Sequence, residues 1–237
     1  MCARLTLTTT GHELADLFGL ADDQIASVQK RYNIAPMQWI PVVRVRDGQR
    51  ELVNLRWGLI PSWVRDPKPT GLVNARSETV AEKPSFREPF RHRRCLVPAD
   101  GFYEWKPVGR KKQPYYFRKA HGGLMALAGL WDRWQGPEGV LETVTVLTVP
   151  ANELIQPLHD RMPAILTPDQ FAVWLDPHEH RIDRLLPLLN SYSAEQMECW
   201  PVHPRVNSAT IDEPGLNQPL DGRASQSHGQ PTLFDSL

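Results

Sequence analysis

The run LMALAGLWDRWQGPEGVLETVTVLTV at residues 124–149 decides the fold class. Its two ends, 124–131 and 142–149, are rich in Val, Leu and aromatic residues and predict β-strands, and the Gly, Pro and charged residues between them predict a turn. Upstream runs of the same kind predict further strands at residues 38–46, 51–57, 94–98, 101–106 and 114–118. Strands therefore dominate the middle of the chain.

Helices are expected on either side of these strands. Apolar residues at roughly helical spacing predict a helix within residues 11–29. Short helices are predicted at residues 150–157, at 168–175 with Thr167 as the cap, and at 181–190. This arrangement predicts an α+β fold, a strand-rich single domain with a curved, barrel-like mixed sheet and short flanking helices.

The composition is that of an ordinary globular domain, with 41% hydrophobic and 23% charged residues in a chain of 237. We expect one domain over residues 1–212 and a disordered tail over 213–237, which is polar and rich in Gly, Pro and Ser. Charged residues among the first twenty argue against a signal peptide, and no segment is apolar enough to span a bilayer. A cytoplasmic location is therefore expected. We also expect a monomer.

Charge is distributed unevenly along the chain, although the formal net charge is zero. Residues 1–120 hold 21 Lys and Arg against 12 Asp and Glu, a balance of +9, and residues 121–237 have a balance of −9. A basic half is typical of a protein that binds phosphates. The alternative is that the two halves of the sequence do not correspond to faces of the folded domain.

The three cysteines are Cys2, Cys95 and Cys199. They are far apart and odd in number, which excludes a disulfide framework and a four-cysteine zinc site. We expect neither a metal nor a cofactor. Cys95 and Cys199 are expected to be buried, inert thiols.

Cys2 would have distinctive chemistry if Met1 were removed. The new terminus would carry an α-amine with a pKa of roughly 7.7–8.0 beside a thiol with a pKa of roughly 8.5. Such a 1,2-aminothiol reacts with aldehydes, because the amine forms a Schiff base and the thiol then closes a thiazolidine ring. The alternative is that Cys2 is an incidental small residue near the terminus.

Six short blocks of sequence resemble one known family. They occur in the order MCAR (1–4), RYNIAP (31–36), WGLIPSW (57–63), VNARSET (73–79), PADGFYEW (98–105) and LHDRMP (158–163). Together they resemble the SRAP family, the SOS-response-associated peptidases, whose members act as abasic-site processing proteins. The resemblance implies an enzyme that binds single-stranded DNA containing an abasic site and crosslinks to it through Cys2, and it implies a location at the nucleoid and its replication forks.

The resemblance also implies the catalytic residues Cys2, Asn74, Glu104 and His159. An abasic sugar is mostly a closed hemiacetal, so exposing its aldehyde needs a proton donor and a base, two tasks that Glu104 and His159 can divide. Phe102 and Glu104 share one face of a strand, and apolar surroundings raise a carboxyl pKa. The amide of Asn74 can orient the amine or thiol but cannot transfer protons. Without the resemblance, Glu104 would be a solvated strand residue, His159 part of a surface ion-pair cluster, and Asn74 a turn residue or helix cap.

Cationic and apolar residues near these positions suggest how DNA is held. Three arginines each lie two residues from a proposed catalytic residue, where they can reach the phosphates of the lesion. The resemblance further implies an apolar wedge, on which bases of any kind stack, and one threonine contact. The expected DNA-binding residues are Arg4, Pro36, Trp63, Arg76, Thr148 and Arg161.

The end of the tail contains a short motif of its own. Gln230, Leu233 and Phe234 resemble the bacterial peptide that binds the replication sliding clamp. In such peptides the apolar pair fills a pocket and the glutamine makes polar contacts. Clamp binding is therefore a hypothesis, and its alternative is chance occurrence of a short motif.

Other functions compete with capture of abasic DNA. Cys2 and His159 could form a thiol-dependent peptidase, including one that processes its own terminus. A mature chain that begins with cysteine is also typical of N-terminal-nucleophile amidohydrolases. A simple single-strand-binding module would leave the aminothiol unexplained. The basic half and the arginines near each proposed catalytic residue favour DNA.

Overall fold

The computed structural model describes residues 3–26 and 28–220. Its strands are β1 (Leu5–Leu7), β2 (Arg31–Ile34), β3 (Trp39–Arg46), β4 (Gln49–Trp57), β5 (Asn74–Arg76), β6 (Arg94–Ala99), β7 (Gly101–Val108), β8 (Lys111–Lys119), β9 (Met125–Gly136), β10 (Gly139–Pro150), β11 (Arg161–Pro163), β12 (Ile165–Leu166) and β13 (Met197–Pro201). Its α-helices are α1 (Gly11–Phe18), α2 (Asp22–Ile25), α3 (Arg87–His92), α4 (Phe171–Leu175) and α5 (Ile182–Leu185).

Five of the strands close into a barrel. Strand β10 pairs antiparallel with β9 and parallel with β4, β3 connects β4 to β6, and β6 returns to β9. The ring β10-β4-β3-β6-β9 is therefore complete, and β5, β11 and β12 extend it. This result confirms the α+β class and the barrel-like mixed sheet.

The core of the barrel is aliphatic and tightly packed. Each of the five barrel strands contributes a fully buried residue to one cluster: Val42, Leu55, Val97, Leu127 and Val146. Small barrels have no room for solvent and are filled by side chains that alternate along each strand. The apolar residues of the predicted strands therefore form the core of the barrel, and their burial holds the strands in place.

A second, antiparallel sheet packs beside the barrel and carries much of the candidate site. Its strand order is β13-β8-β7-β1-β2. In this sheet Glu104 of β7 lies opposite Tyr115 of β8, and Leu5 of β1 lies opposite Phe102. The segment that follows β13 also packs here, because Leu216 is buried.

Two of the helix predictions need refinement. The helix predicted within residues 11–29 is two short helices, because Gly19 at the end of α1 adopts a left-handed conformation with φ 64°. Thr10 caps α1 and forms a capping box with Glu13. In residues 181–190, α5 is followed by a short 3-10 turn at Leu186–Leu188.

The other two helix predictions had opposite outcomes. Residues 168–175 are helical as predicted, and Thr167 forms a capping box there with Gln170. The helix predicted at 150–157 is wrong, because residues 153–158 form turns. The Asn152 Oδ1 accepts the N–H of Ile155 at 3.1 Å, as the side chain of an N-cap residue does, but Pro157 has no N–H with which to continue a helix. No helix in the described part of the chain is long and apolar enough to cross a membrane.

The ordered domain extends beyond residue 212. The Trp200 Nε1 donates to the carbonyl of Asn217 at 2.9 Å, and Val202 forms a bridge with Pro219. Residues 213–220 thus pack on the second sheet, in contrast to the tail predicted to begin at residue 213. The clamp-motif residues Gln230, Leu233 and Phe234 lie outside the described residues, as does Cys2.

Candidate functional site

A cavity of about 430 Å³ lies where β1, β7, β8 and the turn before β11 meet. It brings together three residues that are far apart in sequence and that the sequence analysis had selected: Arg4, Glu104 and His159. The complete lining is Ala3, Arg4, Glu104, Trp105, Lys112, His159 and Asn207. Because Ala3 is in this lining, the chain enters the cavity directly after Cys2.

Glu104 is buried in the wall of this cavity. Its side chain on β7 is only 3% exposed, so the alternative of a solvated strand residue is wrong. Burial raises the pKa of Glu104, and the nearby His159 acts in the opposite direction. A carboxyl group in such surroundings keeps its proton to a higher pH than usual, which suits a proton donor.

His159 is half-buried and held by its own neighbours in the chain. Its Nδ1 lies 3.0 Å from the backbone N–H of Arg161 and 2.9 Å from the Oδ1 of Asp160. If Nδ1 of the neutral ring accepts from Arg161, the ring proton is on Nε2. If Nδ1 instead donates its proton to Asp160, Nε2 is unprotonated and can act as a base. The two contacts therefore allow His159 to serve as either a proton donor or a proton acceptor.

Arg161 and Thr148 are turned into the protein. Arg161 pairs with both carboxylate oxygens of Glu78 and donates to the Thr148 carbonyl. The hydrogen bond from Arg161 lowers the pKa of Glu78. The Thr148 hydroxyl is fully buried and donates to the Ala75 carbonyl at 3.3 Å. The pairing of Arg161 fixes the turn that carries His159, and the DNA contacts expected of Arg161 and Thr148 stay predictions.

Asn74 and Arg76 lie on β5, at the edge of the barrel. Asn74 is half-buried and pairs in register with Val146 of β10, while Arg76 is exposed. Asn74 is not among the residues that line the cavity, so its expected role at the terminal amine stays a prediction. Arg76 has the exposure that a phosphate contact requires.

Arg4 is held by three protein acceptors. Its guanidinium donates to the Asn33 Oδ1 at 2.6 Å, to the Val206 carbonyl, and to the Asn207 carbonyl at 3.3 Å. It also lies 5.6 Å from the centre of the Trp105 ring, and burial lowers its pKa. Arg4 is therefore rigidly positioned, with much of its donor capacity used inside the protein.

The proposed wedge includes a tryptophan that faces solvent. Trp63 is 63% exposed, which excludes the alternative of a core tryptophan, and Pro36 is half-buried. Residue Met37, directly after Pro36, has a positive φ of 75° that turns the chain sharply into β3. Trp39, also 53% exposed, was not identified from the sequence as a candidate.

The two remaining cysteines are buried, as expected. Burial raises the pKa of the Cys199 thiol to about 12 and that of Cys95 still further. Neither thiol is deprotonated at neutral pH, and thiolate is the reactive form. Cys95 and Cys199 therefore contribute to packing rather than to chemistry.

Comparison with known proteins defines the class to which this fold and cavity belong. The sequence profile of the SOS response associated peptidase (SRAP) family matches residues 1–209, and the chain belongs to this family. It is 42% identical over 223 residues to the abasic site processing protein YoqW of Bacillus subtilis (strain 168), covering 91% of this chain and 98% of the relative.

A more distant relative and a solved structure agree. The abasic site processing protein HMCES of Gallus gallus is 34% identical over 224 residues, covering 80% of this chain and 66% of the relative. The crystal structure of a protein from Bacteroides thetaiotaomicron superposes with a TM-score of 0.80 at 28% identity, covering 92% of this chain and 99% of that one. The fold is thus the fold of the family.

Proposed function

We propose that this protein processes abasic sites in single-stranded DNA, and that it captures the lesion covalently through Cys2 after loss of Met1. The observation that carries the proposal is the cavity entered by the chain at Ala3, in which buried Glu104 and half-buried His159 face the same space. The names of the relatives, which are abasic site processing proteins, indicate the lesion.

The reaction begins with the closed sugar. An acid protonates the ring oxygen while a base removes the proton of the C1′ hydroxyl, and the ring opens to the aldehyde. The α-amine of Cys2 adds to C1′, and loss of one water gives a Schiff base. The thiol sulfur then bonds to C1′, and its proton passes to the nitrogen. The product is a thiazolidine, and no oxidant or reductant is consumed.

The environments of Glu104 and His159 suit different parts of this sequence. Because burial raises the pKa of Glu104, we assign the proton to the ring oxygen to its carboxyl group. His159 can accept the hydroxyl proton at Nε2 when its Nδ1 donates to Asp160. The same two groups can return protons when the water molecule leaves.

A direct experiment uses an oligonucleotide with one abasic site. The purified protein should give an adduct that survives denaturing electrophoresis, with a mass equal to protein plus oligonucleotide minus one water. An oligonucleotide with a tetrahydrofuran analogue, which has no aldehyde, should give none, and neither should the Cys2→Ala variant. Absence of the adduct from protein whose intact mass shows loss of Met1 would sink the proposal.

The peptidase alternative has one observation in its favour. The contact of 2.9 Å between His159 Nδ1 and Asp160 resembles the pairing that orients a catalytic base beside a thiol nucleophile. It gives no role to the buried carboxyl of Glu104. Cleavage of peptide substrates by a variant that forms no DNA adduct would favour the peptidase. Hydrolysis of a small amide such as glutamine by that variant would favour an amidohydrolase.

We expect Trp63 to contribute a stacking surface for DNA. Replacement of Trp63 by alanine should weaken binding of undamaged single-stranded DNA by about 1–3 kcal/mol, the usual value of one base stacked on an aromatic ring. Because Trp63 is 63% exposed, the thermal stability should change little. Fluorescence anisotropy measures the binding, with Trp63→Phe as the control that retains a ring. Equal affinity of the alanine variant and the wild type would exclude the contact.

A further inference from the structure

The hairpin between β7 and β8 ends in a cluster of positive charge that the sequence analysis did not select. Residues 106–112 read KPVGRKK and contain four cations and no acidic residue. Val108 pairs with Lys111 and Pro107 with Lys112, and the turn is closed by Gly109 with φ 58°. We call Arg110, Lys111 and Lys112 the hairpin cluster.

The hairpin cluster is exposed and lies beside the candidate site. All three side chains are exposed, and none forms an ion pair with any residue of the described ranges 3–26 and 28–220. Lys112 lines the cavity together with Glu104 and His159. The three cations of the hairpin cluster, exposed and close together, produce a locally positive potential that attracts an anion.

Lys112 differs from the other cation of the cavity. Arg4 already donates to Asn33, Val206 and Asn207, and burial lowers its pKa. Lys112 is instead exposed, and no described residue forms an ion pair with it. A ligand that enters the cavity with a negative charge therefore meets Lys112 as the cation able to turn toward it.

We propose that the hairpin cluster binds the backbone phosphates of the DNA strand, with Lys112 at the lesion and Arg110 and Lys111 at phosphates beyond it. This inference rests on the proposed function for the choice of DNA. Strand residues advance about 3.3 Å each, so the tip near Val108 lies about 13 Å from Glu104, within a few nucleotides of the reacting sugar. Lysine binds phosphate as a flexible point charge, which suits a strand read without regard to sequence.

The test measures affinity for an undamaged single-stranded oligonucleotide at several NaCl concentrations. Each phosphate contact to a single strand contributes about 0.7 to the slope of log K against log salt concentration. The variant Arg110→Gln/Lys111→Gln/Lys112→Gln should lose about 2 from the magnitude of that slope. A control that removes three exposed cations from another part of the domain, Arg87→Gln/Arg91→Gln/Arg181→Gln, should lose much less.

Several outcomes would overturn the proposal. A hairpin variant with the wild-type slope, or a control with an equal loss, would show that the hairpin cluster makes no specific phosphate contacts. Absence of single-strand binding by the wild type would also contradict the proposed phosphate contacts. Hairpin-dependent binding to vesicles that contain phosphatidylserine, without such binding to DNA, would assign the surface to membranes instead.

The adduct assay separates this inference from the proposed function. If the wild type forms the adduct and the hairpin variant keeps the wild-type salt slope, only the hairpin proposal fails. If the wild type forms no adduct but binds undamaged DNA through the hairpin cluster, only the covalent proposal fails.

Discussion

A Glu104→Gln variant should crosslink abasic DNA roughly 10²–10⁴ times more slowly than the wild type, the usual effect of removing one general acid. Glutamine has nearly the shape of glutamic acid but no transferable proton. Because Glu104 is buried in the cavity wall, water cannot easily replace it at the same position. The loss should appear in the rate at saturating DNA and leave the affinity for undamaged DNA unchanged.

The same substitution should not destabilise the fold at neutral pH. Burial raises the pKa of Glu104, so the folded protein holds this proton over a pH range in which the unfolded chain has lost it. Between the ordinary pKa of about 4.3 and the raised value, stability therefore falls as pH increases. Glutamine lacks this ionisation, and the variant should be as stable as the wild type or more stable at neutral pH.

Single-turnover gels from pH 5 to 9 and thermal melts would check both statements. The wild-type rate should fall on the alkaline side as Glu104 loses its proton, and the variant should lack that limb. Glu138→Gln, the same change of side chain at an exposed turn, provides the control. Crosslinking by Glu104→Gln at the wild-type rate would remove Glu104 from the mechanism.

The long strands were predictable because their signal is local. All seven strand runs found in the sequence are strands in the structure, since each is long enough to show apolar residues and turn signals of its own. Strands β1, β5, β11 and β12 have only two or three residues and exist through pairing with distant partners, such as β5 with β10. No local pattern could identify them. The helix predicted at 150–157 is wrong because Pro157 has no N–H to continue a helix, and residues 153–158 form turns.

The candidate site was predictable only in part. Sequence blocks that resemble the SRAP family led to Glu104 and His159, and the structure places both in one cavity. The burial of Arg161 beside Glu78 could not be read from an HDR motif, because its partner lies 83 residues away. Lys112 was missed although the run KPVGRKK is visible in the sequence. Its significance depends on the hairpin that brings it to the cavity.

Asn33 is the residue whose loss we expect to damage both the fold and the site. It is fully buried, and its Nδ2 lies within 3.2 Å of three carbonyls, those of Val206, Ser208 and Ile211. Its Oδ1 accepts from Arg4 at 2.6 Å. One amide thus fastens the segment after β13 to β2 and orients the arginine beside the cavity.

Asn33→Ala should lower the free energy of unfolding by roughly 2–4 kcal/mol, because buried carbonyls and a guanidinium lose their partner and each unsatisfied group costs about 1–3 kcal/mol. Urea titration at pH 7 measures this loss, and Asn54→Ala, at an exposed position on β4, should change stability by less than about 0.5 kcal/mol. Molecules of the variant that remain folded should also crosslink abasic DNA more slowly, since Arg4 is no longer fixed. If Asn33→Ala unfolded like Asn54→Ala, the amide would not hold the two segments together. A variant of lowered stability with a wild-type crosslinking rate would show instead that the fold depends on Asn33 and that crosslinking does not depend on the contact between Asn33 and Arg4.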